Sequence, residues 1–387
     1  MATTSPPSAT APAEAKHWRR FKLLLAGVVL LVGANIYVWI DAAKEPAPVR
    51  PAQKVVVQPP TAPSFEGPSQ KLKQTVIVPT LESSVPEGKS AIWVGTLPMA
   101  WQALEKVAGP MELPQAKQLA AQLRATPSPE LAAQSYYVAA GFHKDGILER
   151  IRRELPVRFP MAPRPEDASP MGVAMVYAYL EAAIGFEHEF RINDDPLRFK
   201  AAAGTVTPVY AFGVPEKDSG KGDTTYRGQV EVLFHDDEGF AVDLSCRTKP
   251  YQIVLARLPR AATLAAALAQ VKKRTGQRRG LASDAVLLVP FMHWQVDHRF
   301  RELEKQVIVN KSHPPDSFIG QAMQSIRFKL DTKGVEVTAR TRLESDWSQG
   351  PEHLIFDRPF LIVLRKRGTS APFFVMWVDN AELLQRP

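Results

Sequence analysis

Phe356-Asp357-Arg358-Pro359-Phe360-Leu361-Ile362-Val363-Leu364-Arg365 and, after a short polar break, Ala371-Pro372-Phe373-Phe374-Val375-Met376-Trp377-Val378-Asp379-Asn380 form two apolar runs in the last part of the 387-residue chain. The run Phe373-Phe374-Val375-Met376-Trp377-Val378 is aromatic and β-branched, the composition of a strand. Working back from it, Ser325-Ile326-Arg327-Phe328-Lys329-Leu330, Ala285-Val286-Leu287-Leu288-Val289, Tyr251-Gln252-Ile253-Val254-Leu255-Ala256 and Gln229-Val230-Glu231-Val232-Leu233-Phe234 read the same way. Only 262–271 and 300–307 look helical in this half. The front half has the helical period at 98–104, 116–123, 130–138 and 146–155. Helices largely first and large, mostly antiparallel sheets later predict an α+β domain.

The first 71 residues are of another kind. Lys16, His17, Arg19, Arg20 and Lys22 precede an uncharged run of 18 positions, Leu23 to Ile40, long enough for one transmembrane helix. Cations before the run and Asp41, Lys44 and Glu45 after it orient the N-terminus to the cytoplasm and the bulk outside, periplasmic or extracellular, as a single-pass protein. A cleaved signal ending at Val32-Gly33-Ala34 is the alternative, with the same destination. Seven prolines between Lys44 and Pro68 make an extended spacer. The expected layout is a polar and basic tail at 1–20, a signal anchor at 21–41, a Pro-rich linker at 42–71 and one domain at 72–387. Cys246 is the single cysteine, so no internal disulfide contributes to stability.

Chemistry-bearing patterns are absent from the sequence. Ser219-Gly220-Lys221-Gly222-Asp223 lacks phosphate-loop spacing, and Glu187-His188-Glu189 has no second His at helical spacing. His235-Asp236-Asp237-Glu238-Gly239 joins two strand-like runs and reads as a hairpin loop rather than a calcium loop. No catalytic residue, metal or cofactor is implied, so the chain is not read as an enzyme. The net charge of +8 is densest at Lys272, Lys273, Arg274, Arg278 and Arg279, without interleaved aromatics, which argues against nucleic acid. That stretch reads as a solvated helix end, with an anionic glycan or lipid patch as the sharper alternative.

From Val335 the chain alternates. Val335, Val337, Ala339, Thr341, Leu343, Ser345 and Trp347 fall on one side, and Glu336, Thr338, Arg340, Arg342, Glu344 and Asp346 on the other, the period of a strand with one buried face. Phe356-Asp357-Arg358-Pro359-Phe360 and the Phe373 strand closely resemble the C-terminal signature of the serpin family. Gln321 to Gly334 is similar to the central-sheet strand that leads into the serpin hinge. Ala285 to Phe291, Pro250-Tyr251 with the strand ending at Leu258-Pro259, and Ala174 to Leu180 with Phe190 and Phe199 also fall in the family's order. The resemblance covers most of 72–387, most strongly after Met171. It implies an exposed reactive loop whose hinge, Gly334, Val335, Glu336, Val337, Thr338, Ala339, Arg340 and Thr341, inserts into a sheet after a serine-type or cysteine-type protease cleaves the loop. Gly334 and Pro359 lie 25 residues apart, and counting by the family's register places the scissile bond at Ser348-Gln349, with Trp347-Ser348 and the site after Arg342 as alternatives. The implied partner is a target protease, with the domain acting as a monomer.

Departures from the family favour a non-inhibitory binding or structural module as the rival reading. Thr332 and Lys333 stand where acids are usual, Val337 and Arg340 interrupt the small residues of the hinge, Met376 and Ala381 replace a Gly and a Pro, and the N-terminal Ser-Pro-x-Ser pattern is reduced to Gly95-Thr96-Leu97-Pro98.

Overall fold

The computed structural model describes residues 62–163, 173–181, 184–216, 225–245, 249–310, 317–333 and 352–387. The C-terminal apolar runs become the centre of an eight-stranded sheet. Its order is β13 (Arg279–Gly280), β10 (Glu231–Asp236), β11 (Gly239–Asp243), β12 (Tyr251–Arg257), β18 (Phe360–Lys366), β19 (Pro372–Val378), β3 (Ser90–Val94) and β2 (Thr75–Ile77). A five-stranded sheet runs β1 (Phe65–Pro68), β15 (Met292–Arg299), β16 (Phe318–Leu330), β5 (Val173–Glu181) and β4 (Tyr136–Phe142). A smaller sheet orders β17 (His353–Ile355), β14 (Val286–Pro290), β9 (Ala211–Val214) and β6 (Arg191–Ile192), and β7 (Leu197–Lys200) pairs with β8 (Val206–Val209).

Five α-helices lie among the described residues: α1 (Thr96–Ala108), α2 (Lys117–Ala125), α3 (Ile147–Arg158), the single turn α4 (Thr225–Gly228) and α5 (Leu264–Arg274). Leu97, Ala100, Trp101, Leu104 and Ala108 recur at helical spacing, so α1 buries one stripe against β4 and β5. α3 lies on the other face of the five-stranded sheet, its Ile147, Leu148, Ile151 and Leu155 packed with Tyr137, Tyr177 and Tyr179. β5 therefore has no solvent face: Ala174, Val176, Ala178 and Leu180 enter the main core, while Met175, Tyr177 and Tyr179 meet α3.

Aromatic rings join the sheets. Phe374 of β19 stacks on Phe328 of β16 at 4.7 Å, and Trp294 of β15 lies 5.2 Å from Phe328. Phe240, Phe356 and Phe360 form a second chain at 4.9 and 5.1 Å, so both phenylalanines of the Phe-x-x-Pro-Phe stretch are core residues.

Four sequence expectations are corrected. Residues 130–138 do not form an α-helix; a single 3-10 turn, Ala133–Ser135, precedes strand β4, on which Tyr136 and Val138 join the α1 side and Tyr137 and Ala139 the α3 side, a period of two that pairing with β5 enforces. Residues 300–307 form turns and an isolated bridge from Val307 to Phe318, because Lys305 takes a left-handed φ of 63° that ends helical propagation. The linker assigned to 42–71 ends earlier: Phe65–Pro68 pairs parallel with β15, supplying partners to an edge, and the folded domain begins by residue 62 rather than 72. Strands are not confined to the second half, since β1 to β5 all begin before residue 174. Among the described residues no helix is long and apolar enough to cross a membrane; the tail at 1–20 and the anchor at 21–41 lie outside them.

Candidate functional site

β5 and β16 are neighbours at the middle of the five-stranded sheet and run parallel over nine residue pairs, from Val173↔Phe318 to Glu181↔Arg327. Both are antiparallel to their outer neighbours, β4 and β15. An antiparallel strand placed between β5 and β16 would match both. The chain that leaves β16 would enter with that direction if it turned back on itself.

The point of departure is fixed. The backbone N–H of Phe190 donates to the Thr332 carbonyl at 2.8 Å and that of Phe186 to the Lys333 carbonyl at 3.0 Å. The Thr332 hydroxyl donates to Glu189 Oε1 at 2.8 Å, and Lys333 N–H to Asp331 Oδ1 at 2.9 Å. Phe186 and Phe190 meet edge to face at 4.8 Å beneath this contact. Residues 186–190, which include Glu187-His188-Glu189, thus hold Thr332 and Lys333, the last described residues before 334–351. Their backbone is held in turn by Gln229, whose Oε1 accepts from Glu187 and His188 N–H at 3.1 Å and whose Nε2 donates to the His188 carbonyl at 2.7 Å. Among the described residues no group of three His, Cys, Asp or Glu side chains could hold a metal ion.

The point of return is fixed by charge. Glu352, the first described residue after 334–351, accepts from Arg279 at both carboxylate oxygens, at 3.1 Å on Oε2, and contacts His235 Nδ1 at 2.6 Å. Burial alone would raise this carboxyl; the Arg279 and His235 contacts outweigh it and hold it below its usual range. The Glu352 carbonyl also accepts from Val286 N–H at 2.7 Å, which starts the parallel pairing of β17 with β14.

Arg279 belongs to the basic stretch singled out above, and the stretch is mostly neutralised. Arg274 pairs with Asp236, reaches Glu238 at 3.9 Å and lies 4.4 Å over the Phe234 ring. Arg278 reaches Glu231 at 3.4 Å. Lys272 and Lys273 stand exposed at the last turn of α5, where cations favour the helix dipole. The Ser348-Gln349 bond and the hinge residues Gly334, Val335, Glu336, Val337, Thr338, Ala339, Arg340 and Thr341 lie outside the described residues. Sequence reasoning weighed Glu189 only as part of a zinc motif and missed Glu352; the partners of both are distant in the chain.

No family model and no curated protein matches the sequence. In solved structures the likeness is to serpins. Human thyroxine-binding globulin complexed with thyroxine aligns at 11% identity and a TM-score of 0.50, over 76% of this chain and 92% of its own. Uncleaved ovalbumin aligns at 11% identity and 0.48, over 76% and 94%, and native protease nexin-1 with heparin at 11% and 0.48, over 76% and 92%. The domain has the serpin fold.

Proposed function

We propose that this chain is a membrane-tethered inhibitor, held on the extracytoplasmic side by its N-terminal segment, that traps a serine-type or cysteine-type protease through cleavage and insertion of the segment 334–351. The observation that carries the reading is the parallel pair β5–β16 at the centre of an otherwise antiparallel set of long strands, with the segment leaving directly from β16. The protease nucleophile attacks the Ser348 carbonyl carbon, an acyl bond forms, and the Gln349 amine leaves with a proton from the protease's own acid. The freed strand enters between β5 and β16 antiparallel to both, with Val335, Val337, Ala339 and Thr341 inward. The acyl-linked protease is carried along and loses the geometry that deacylation needs. The inhibitor contributes folding free energy rather than a catalytic group, and no cofactor enters.

A second reading, a non-inhibitory binding or structural module, draws on Thr332 and Lys333, which are pinned by Phe190, Phe186 and Glu189, and on the bulk of Val337 and charge of Arg340. One experiment separates the two. The full chain is mixed with elastase-, chymotrypsin-, subtilisin- and trypsin-like proteases and examined for an SDS-stable complex, and the melting temperature is compared before and after loop cleavage. Burial of Val335 and Val337 at about 2 kcal/mol each and of Ala339 and Thr341 at about 1 kcal/mol each is worth roughly 6 kcal/mol. For a domain of about 300 residues, unfolding entropy translates this into a rise of roughly 10 °C. A covalent complex with that rise is expected; clean cleavage by every protease with no rise would establish the second reading instead.

A further inference from the structure

The β4 edge of the five-stranded sheet, its last strand among the described residues, bears a groove unrelated to the β5–β16 slot. Its apolar floor comes from two elements. Met99 and Ala103 are one turn apart on α1, half exposed beside the helix's buried stripe, and Tyr136 and Val138 project from the same side of β4. The cavity between them has a volume of about 330 Å³, within the usual span for a small organic ligand.

Two cations face this floor and no carboxylate lines it. Lys106, on the same stripe of α1, is exposed and has no ion-pair partner among the described residues; its neighbour Glu105 is already taken by Arg124 at 2.9 Å. Arg158, at the end of α3, reaches around the sheet edge. Its Nη2 donates to the Tyr136 carbonyl at 2.9 Å and also to that of Ala133, and its guanidinium lies 5.5 Å over the Tyr137 ring. The fork is therefore held in place before any ligand arrives, with Nε and Nη1 left as donors. Gln102 and Ser128 close the lip by bonding to each other, so the lip offers little competing polarity.

The same contacts decide what kind of occupant fits. An incoming peptide strand would need the outward carbonyls of β4, yet Tyr136 is bonded to Arg158, and Ala140 accepts from Arg150 Nη2 at 3.2 Å. We infer that the groove between α1 and β4 is a binding site for a small apolar anion, an aromatic or short aliphatic body bearing one carboxylate or sulfonate, with the body on Met99, Ala103, Tyr136 and Val138 and the charge between Lys106 and Arg158. The inference does not depend on loop insertion.

The test titrates the full chain with 2-naphthalenesulfonate by calorimetry, using 2-naphthol as the uncharged control. One saturable site is expected, with the sulfonate binding at least fivefold more tightly than the naphthol. Lys106→Gln, a change at an exposed position, should weaken the sulfonate about three- to tenfold and leave the naphthol unaffected. Ala103→Phe should fill the floor and abolish both. Absence of saturable binding overturns the inference, as does binding that survives Ala103→Phe in a variant whose melting temperature is unchanged. If Ala103→Phe does not fold, Lys106→Gln decides alone, and equal affinity for the sulfonate in variant and parent refutes the site.

Discussion

His298 makes acid a specific solvent for one edge of the domain. It sits on β15 under the short turn Ser69–Lys71, with the Ser69 hydroxyl 2.7 Å from Nδ1, the Phe300 ring 4.5 Å away, Arg301 nearby and Gln324 opposite it on β16. Burial first, and then the charge of Arg301, push the imidazole down to about 4. In the unfolded chain it titrates near 6.5. Between those values the unfolded state takes a proton that the folded state refuses, so the stability is complete above about pH 6.5 and declines as the pH falls toward 4. At 1.36 kcal/mol for each pH unit of separation, the loss reaches about 3 kcal/mol at the acid end. The perturbation is His298→Gln, which keeps a partner for Ser69 and removes the titration. The assay is the unfolding free energy in urea at several pH values from 7.5 to 4. Asp297, raised by burial, contributes to the pH dependence with the opposite sign, so the informative quantity is the difference between parent and variant. That difference should change by about 2–3 kcal/mol across the range in favour of the variant at low pH. Parallel curves would refute the burial argument.

Three further outcomes follow from named contacts. Glu352→Gln removes the charge that Arg279 and His235 share; because Arg279 is half exposed, the loss is discounted to about 1 kcal/mol at pH 7. As a carboxyl held low, Glu352 contributes above about pH 4.3 and loses its contribution as the pH falls through its lowered value, so urea midpoints of parent and variant should converge in acid; a constant gap would count against it. Gly213→Ala should cost more than about 3 kcal/mol, since its φ is 144° and the new Cβ would lie 2.0 Å from the Leu287 carbonyl oxygen, whereas Gly368→Ala, at φ 85° with open space, should cost about 1 kcal/mol; equal thermal shifts would contradict this. Asp243→Ala should cost about 3 kcal/mol by stranding Arg367, Gln252 and Ser245, which it holds at 3.1, 2.9 and 2.7 Å, and a double variant with Arg367→Met should recover part of the lost melting temperature.

The serpin fold was legible where apolar density and β-branching agree with burial. Phe356, Phe360, Phe328 and Phe374 were all marked by sequence runs, and all became core. β4 was illegible because Ala132-Ala133-Gln134-Ser135 has helical composition and only the distant β5 supplies the pairing that makes Tyr136–Phe142 a strand. β1 was hidden among prolines for a similar reason, its partner being more than two hundred residues away. At the site, the alternation from Val335 was visible, whereas the residues that grip the ends of the segment were not. Glu189 and Glu352 have partners such as Thr332, Arg279 and His235 that are distant in the chain, and an acid that anchors a loop reads in sequence like any solvated one.

The strand β1 also sets how the domain responds to mechanical load. Phe65–Pro68 lies along β15, and just ahead of it Ser64 Oγ donates to the carbonyls of His293 and Leu383 while Gln385 Nε2 donates to that of Ala62. Tension arriving at residue 62 along the strand axis stretches these bonds side by side, as a shear joint, rather than peeling them one at a time. A pull on the N-terminal side is thereby shared between β15 and the extreme C-terminus before any of it reaches β16.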